Sequence, residues 1–73
     1  MATTVVTSEI TGTVWKITAK VGDDVAEDDV LMILESMKME IPLTAPEAGV
    51  VREIKVQEGD AIADGQAAVM LDT

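Results

Sequence analysis

Three short segments of this chain have the patterns of β-strands: apolar and polar residues alternate with a period of two in two of them, and the third is a short apolar run. The segments cover residues 10–17, 30–34 and 50–56, and glycine or acidic residues bound each of them. Further turn signals occur at residues 21–24, 27–29, 45–49, 58–60 and 64–65, so the strands are short and regularly spaced. The pattern predicts an all-β protein arranged as a sandwich or a barrel.

The second half of the chain repeats the first half at a constant offset of 37 residues. When residues 12–35 are aligned with residues 49–72, seven of the 24 positions are identical. The identical pairs are Gly12/Gly49, Val14/Val51, Ile17/Ile54, Gly22/Gly59, Asp23/Asp60, Ala26/Ala63 and Leu34/Leu71. Two copies are too few for a solenoid. We therefore predict one domain over residues 1–73, a flattened barrel of two four-stranded antiparallel sheets related by a pseudo-twofold axis.

A helix over residues 25–34 is an alternative for part of the first half, because several residues there tolerate one. The aligned segment of the second half contains Gly65, and glycine in a helix interior costs about 1 kcal/mol relative to alanine. The strand prediction is therefore preferred for both segments.

Composition excludes several classes of function. Fourteen acidic residues against five basic ones give a net charge of −9, and Trp15 is the only aromatic residue, so we expect no nucleic-acid binding. The chain has no cysteine and no histidine, which removes the usual catalytic nucleophile and base pairs. No apolar run approaches the ~20 residues of a membrane span, and the first residues do not resemble a signal peptide. We expect a non-catalytic, cytoplasmic protein that is a monomer in isolation and does not bind membranes.

A lone lysine lies midway between the two copies, in the hexapeptide of residues 35–40, ESMKME. If Met37 and Lys38 are the central residues of a two-residue hairpin, the flanking residues must pair in one register. The predicted pairs are Ser36 with Met39, Glu35 with Glu40, Leu34 with Ile41 and Met32 with Leu43. This register turns the aliphatic pairs inward, sets two glutamates opposite each other and places Lys38 at an exposed tip.

The turn sequence is unfavourable for the backbone that such a hairpin needs. Both central residues require a positive φ, for which Asn-Gly or Asp-Gly is preferred over Met-Lys. An ordinary solvated lysine is the alternative interpretation, but it does not explain two methionines at an exposed tip. A locally unfavourable turn at the symmetry point of the repeat indicates that Lys38 has a function. Because a lysine amine is protonated at neutral pH, a separate enzyme would have to bring an activated acyl group to it.

These features resemble the biotinyl/lipoyl domain family, in which a lysine at a hairpin tip between two homologous halves receives biotin or lipoate. Biotin acceptors of that family carry Met-Lys-Met, as at residues 37–39, whereas lipoyl domains usually carry Asp-Lys-Ala. The further matching features are Gly22-Asp23, Gly59-Asp60, the stretch of residues 31–35, and Ala45-Pro46 with Gly49.

The chain is most similar to short free-standing members of the family, the biotin/lipoyl attachment proteins. It lacks the inserted thumb of some acetyl-CoA carboxylase carrier subunits, because the first half aligns with the second without a gap. Ser36 stands where alanine or valine is common, and Asp28 stands where the second half has Gly65. Aspartate tolerates a left-handed backbone, so neither departure alters the predicted fold.

The resemblance implies that biotin protein ligase attaches biotin covalently to Lys38. It also implies that the domain carries carboxybiotin between the biotin carboxylase and carboxyltransferase subunits of a biotin-dependent carboxylase. Met37, Met39, Glu35 and Glu40 are the implied ligase-recognition residues. A lipoyl carrier of an acyl or aminomethyl transfer complex is the alternative, since the same fold presents the same lysine.

An unrelated alternative is a metal-binding or interaction module built on the acidic residues between positions 23 and 29. These residues are Asp23, Asp24, Glu27, Asp28 and Asp29. Their spacing does not match a calcium-binding loop, so we predict solvated turns and no metal site.

Overall fold

The computed structural model describes residues 2–73 and consists of eight β-strands in two sheets. The strands are β1 (Thr3–Thr7), β2 (Gly12–Ile17), β3 (Asp24–Val25), β4 (Val30–Ser36), β5 (Met39–Thr44), β6 (Gly49–Ile54), β7 (Ala61–Ile62) and β8 (Ala67–Asp72). The sheet orders are β1-β8-β6-β3 and β5-β4-β2-β7, and every pairing is antiparallel. The predicted all-β class with two four-stranded sheets is confirmed. Residues 25–34, the alternative helix, contain the end of β3, a turn and the first part of β4.

The 37-residue repeat relates one sheet to the other. A shift of 37 residues carries β2 onto β6 and β3 onto β7, and it carries β4 onto β8 and β1 onto β5 to within one residue. The same shift converts the strand order of the first sheet into that of the second. Hydrogen bonds between the halves repeat as well: the Gly22 N–H donates to the Val51 carbonyl over 2.8 Å, and the Gly59 N–H donates to the Val14 carbonyl over 2.7 Å. The predicted pseudo-twofold symmetry is therefore confirmed, and each half contributes strands to both sheets.

The core is aliphatic and lies between the two sheets. Its buried residues are Val6, Val14, Ala19, Leu31, Met32, Leu34, Leu43, Ala45, Val51, Val56, Ile62, Ala68, Val69 and Leu71. Strict alternation would not bury both Leu31 and Met32. The β4–β5 register shifts between Val30 and Met32, and such a bulge turns two consecutive side chains inward. The buried Ser8 hydroxyl donates to the Ile10 carbonyl over 2.7 Å, so it is satisfied locally.

The acidic residues between β2 and β4 organise turns. The Asp23 carboxylate accepts the Lys20 N–H over 2.9 Å, and the Asp29 carboxylate accepts the Ala26 N–H over 2.9 Å. Asp28 has a φ of 72° where Gly65, its repeat partner, has a φ of 86°. Aspartate thus adopts the left-handed backbone expected at this turn. In the part of the chain from residue 2 onwards, no group of three or more His, Cys, Asp or Glu side chains is arranged to hold a metal ion.

A search of the described residues for a helix long and apolar enough to cross a membrane finds none.

Candidate functional site at the hairpin tip

The β4–β5 hairpin has the register that the sequence predicts. Ser36 pairs with Met39, Glu35 with Glu40, Leu34 with Ile41 and Met32 with Leu43. Of the predicted inward residues, Met32, Leu34 and Leu43 are buried and Ile41 is partly buried.

Met37 and Lys38 are the two central residues of the turn, with φ values of 51° and 65°. This left-handed backbone is the requirement of a two-residue hairpin turn. For a non-glycine residue it costs roughly 1–2 kcal/mol. The rest of the hairpin must therefore hold the Met-Lys turn in place.

Contacts with the loop between β1 and β2 and with the start of β2 hold the hairpin next to its turn. The Ser36 hydroxyl donates to the Thr11 carbonyl over 3.0 Å, and the Thr11 hydroxyl accepts the Asp64 N–H over 3.2 Å. Gly12 lies so close to β4 that a Cβ atom there would stand 2.2 Å from the Glu35 carbonyl oxygen. A glycine is therefore required for β2 to approach the hairpin this closely.

Sequence reasoning did not identify Thr11 and Gly12 as hairpin supports. The identity of Gly12 with Gly49 in the repeat was the available signal, because Gly49 makes the equivalent close approach to Asp72. Ser36 stands where alanine or valine is common, and its hydroxyl donates a hydrogen bond to Thr11 that neither of those residues could make.

The side chains of the tip are exposed. Met37 is 92% exposed and Met39 is 64% exposed, whereas Met32 in the same hairpin is 0% exposed. Lys38, Glu35 and Glu40 are exposed as well. Two large apolar side chains therefore flank the lysine on a surface that another protein can contact.

The Lys38 amine has no ion-pair partner within residues 2–73. The salt bridges there join Arg52 to Asp72 and Lys55 to Glu53, each over 3.5 Å. An exposed primary amine without an intramolecular partner can enter the active site of another protein and accept an acyl group. The hairpin thus presents an exposed primary amine at a turn that the Ser36 hydrogen bond supports.

The sequence of this chain matches the family model described as "Biotin-requiring enzyme", the biotin/lipoyl family, over residues 1–71. It is 41% identical over 66 residues to a biotin/lipoyl attachment protein of Bacillus subtilis (strain 168), and the alignment covers 90% of each chain. It is 45% identical over 60 residues to the biotinylated protein TB7.3 homolog of Mycobacterium leprae (strain TN), covering 82% of this chain and 84% of the relative.

The fold is similar to part of the crystal structure of the Kluyveromyces lactis urea carboxylase, with a TM-score of 0.93 and 33% sequence identity. The match covers 99% of this chain and 6% of the carboxylase chain. The chain therefore corresponds to one small portion of that much longer protein.

Proposed function

Because the chain belongs to the biotin/lipoyl attachment family, we propose that it is a biotin carrier, biotinylated on Lys38 by a biotin protein ligase. The observation that carries this proposal is the exposed Lys38 amine at the tip of a hairpin that the Ser36 hydrogen bond and the close approach of Gly12 support next to the turn. Met37 and Met39 favour biotin over lipoate, because the tripeptide has the form of the biotin acceptors that the chain resembles. The name of the Mycobacterium leprae relative, a biotinylated protein, supports the same choice.

The residues at the tip fit the attachment of a carboxylic acid cofactor. In the active site of the ligase, the deprotonated Lys38 Nζ attacks the acyl carbon of biotinyl-adenylate, forms an amide and displaces AMP. The amide removes the positive charge of the amine. Since Lys38 takes no part in the salt bridges of residues 2–73, attachment breaks no ion pair of the fold.

We further propose that Met37, Met39, Glu35 and Glu40 contact the ligase. Glu35 and Glu40 lie directly opposite each other on β4 and β5, and like charges placed directly opposite are destabilising. A basic surface on the ligase would relieve this repulsion when it binds. The overall charge of −9 would also steer the domain towards such a surface.

Domains of this family are non-catalytic carriers, and we propose that this one serves the biotin carboxylase and carboxyltransferase of a biotin-dependent carboxylase. Bound biotin supplies a ring nitrogen that takes up a carboxylate group at one site and releases it at another. The chain itself contributes the tether, which keeps the ring at an effective concentration of roughly millimolar near a docked active site. That residues 1–73 form one attachment domain, monomeric and cytoplasmic, stays a prediction.

The test is biotinylation of the purified chain by a biotin protein ligase with biotin and ATP. Intact mass should rise by one biotinyl group, and peptide mapping should locate it on Lys38. The control Lys38→Arg keeps the charge and should remain unmodified. Label on Lys16, Lys20 or Lys55 would refute the site.

The lipoyl alternative predicts a different adduct on the same lysine. Intact mass of the chain purified from its native cell distinguishes the two, since biotinyl and lipoyl groups differ in mass. A lipoyl adduct would refute the proposed cofactor and leave the proposed site intact.

A further inference from the structure

A groove separates two edge strands beside the hairpin. β1 is an edge of one sheet and β5 is an edge of the other. The groove between them has a volume of about 350 Å³, which falls within the usual range of small-molecule sites, roughly 300–1,000 Å³. Its apolar lining includes Val5, Ile10, Leu34, Ile41, Pro42 and Leu43. We call this feature the hairpin groove.

The hairpin groove runs along β5 from Ile41 to Thr44, on the hairpin that carries Lys38. Ile41 lies three residues after Lys38, which is roughly 10 Å along a strand that rises ~3.4 Å per residue. Ile10 precedes Thr11, the residue whose carbonyl accepts the Ser36 hydroxyl. The lysine side chain and the acyl chain of biotin together contain about ten single bonds of ~1.5 Å, so the ring at their end can reach the groove.

The pseudo-twofold symmetry provides an internal comparison for the groove. At the offset of 37 residues, Ile41 corresponds to Thr4 and Ile10 corresponds to Glu47. The Thr4 hydroxyl donates to a Glu47 carboxylate oxygen over 3.3 Å, and neither residue lines the groove. The line along which β1 and β5 face each other, here called the seam, therefore has a polar contact at its end near the chain termini. At its end near Lys38 it has two isoleucines. The two ends therefore differ in chemistry, and the apolar end lies on the side of Lys38.

The chemistry of the lining matches a biotinyl group. Biotin has an apolar thioether ring fused to a ureido ring that carries two N–H donors and one carbonyl acceptor. Thr7 and Thr44 line the groove and offer hydroxyls, and Glu9 and Asp28 line it with carboxylates that can accept the ureido N–H groups. Edge strands also have backbone N–H and C=O groups that are not paired within their sheet. The walls of the groove thus combine apolar side chains with polar groups, and a biotinyl group carries both kinds of surface.

We propose that the hairpin groove is a resting site for the biotinyl group carried on Lys38 of the same chain. The inference rests on the proposed biotinylation. Because the tether holds the ring at an effective concentration of roughly millimolar, an intrinsic dissociation constant of about 1 mM would give about half occupancy. A weak site is sufficient, and weak retention leaves the arm free to engage partner enzymes.

The first experiment compares ¹H–¹⁵N spectra of the ¹⁵N-labelled chain before and after biotinylation, with intact mass confirming one adduct on Lys38. The inference predicts amide shift changes at residues 5–7, 10 and 41–44 in addition to residues 36–40. Changes confined to residues 36–40 would overturn it and leave the proposed function standing. Absence of the adduct would instead refute the proposed function.

A symmetry-guided variant tests the lining. Ile41→Thr installs the residue that the repeat already accommodates at position 4, so the fold should tolerate it, as the spectrum of the unmodified variant will check. It should abolish the biotin-dependent shifts at residues 5–7 and 10. The matched control Thr4→Ile, at the other end of the seam, should leave them unchanged. Persistence of the groove shifts in Ile41→Thr would overturn the assignment of the lining.

Capture by avidin gives a second readout that does not depend on carboxylase activity. At half occupancy only half of the biotinyl groups are available, so the association rate with avidin should be about twofold lower for the wild-type chain than for Ile41→Thr. Thr4→Ile should match the wild type. Equal association rates for all three chains would contradict the resting site.

Discussion

Replacing Gly12 with alanine is expected to destabilise the domain at the end that carries Lys38. The added Cβ would lie 2.2 Å from the Glu35 carbonyl oxygen and 3.2 Å from its carbonyl carbon. The obstructing atoms belong to the backbone of β4, so no side-chain rotation can relieve the contact. The φ of Gly12 is not in the left-handed region, which leaves steric overlap as the cause of the destabilisation.

The expected magnitude follows from the size of the overlap. β2 and β4 must separate by roughly 1 Å, since overpacking of this kind shifts the backbone and costs roughly 1–3 kcal/mol. A domain of 60–100 residues loses about 4–8 °C in melting temperature per kcal/mol. With a free-energy loss of about 2 kcal/mol, the melting temperature of Gly12→Ala should fall by about 8–16 °C. The same separation would stretch the 3.0 Å hydrogen bond from Ser36 to Thr11 and loosen the hairpin.

The repeat supplies the matched control, Gly49→Ala. Its Cβ would lie 2.6 Å from the Asp72 carbonyl oxygen and 3.1 Å from the Thr73 Cγ2 atom. The overlap is smaller, and one of the two nearest atoms belongs to the Thr73 side chain, which can rotate away. Gly49→Ala should therefore lose less stability than Gly12→Ala and keep the wild-type rate of biotinylation, while Gly12→Ala should be biotinylated more slowly.

Thermal unfolding followed by circular dichroism measures the stability, and a timed ligase assay below both melting temperatures measures the rate. A melting temperature of Gly12→Ala within 2 °C of the wild type would refute the steric argument. A rate for Gly49→Ala as low as that for Gly12→Ala would refute the specific link between Gly12 and the hairpin.

Three further changes probe the hairpin itself. Ser36→Ala removes the hydrogen bond to the β1–β2 loop and should lower the free energy of unfolding by about 1 kcal/mol, and an unchanged urea midpoint would contradict this. Replacing the turn with Met37→Asn and Lys38→Gly should raise the free energy of unfolding by about 1 kcal/mol or more, because these residues suit positive φ. The same double substitution should abolish biotinylation. A lower melting temperature would argue against turn strain. Glu40→Gln removes the like-charge pair, so it should stabilise the hairpin slightly and raise the KM of the ligase reaction. An unchanged KM at low salt would remove Glu40 from the proposed contacts.

Local pattern was sufficient to predict the hairpin, the repeat and the fold class. A two-residue turn leaves one register that pairs Leu34 with Ile41, because a slip of one residue would turn the aliphatic side chains outward. The predicted strand over residues 10–17 begins two residues before the observed β2, and the one over residues 50–56 ends two residues after β6. Strand ends depend on pairing partners, which alternation along one segment does not specify.

The sequence by itself determined that two similar halves place an exposed lysine between them, since repeat identity and period-two alternation are properties of the chain alone. Only the tertiary structure decided that each half contributes strands to both sheets and that a bulge buries Leu31 beside Met32. It also decided that Gly12 faces the Glu35 carbonyl and that a groove lies between β1 and β5. Each of these depends on contacts between residues far apart in the chain, and those contacts exist only once both sheets have closed over the shared core.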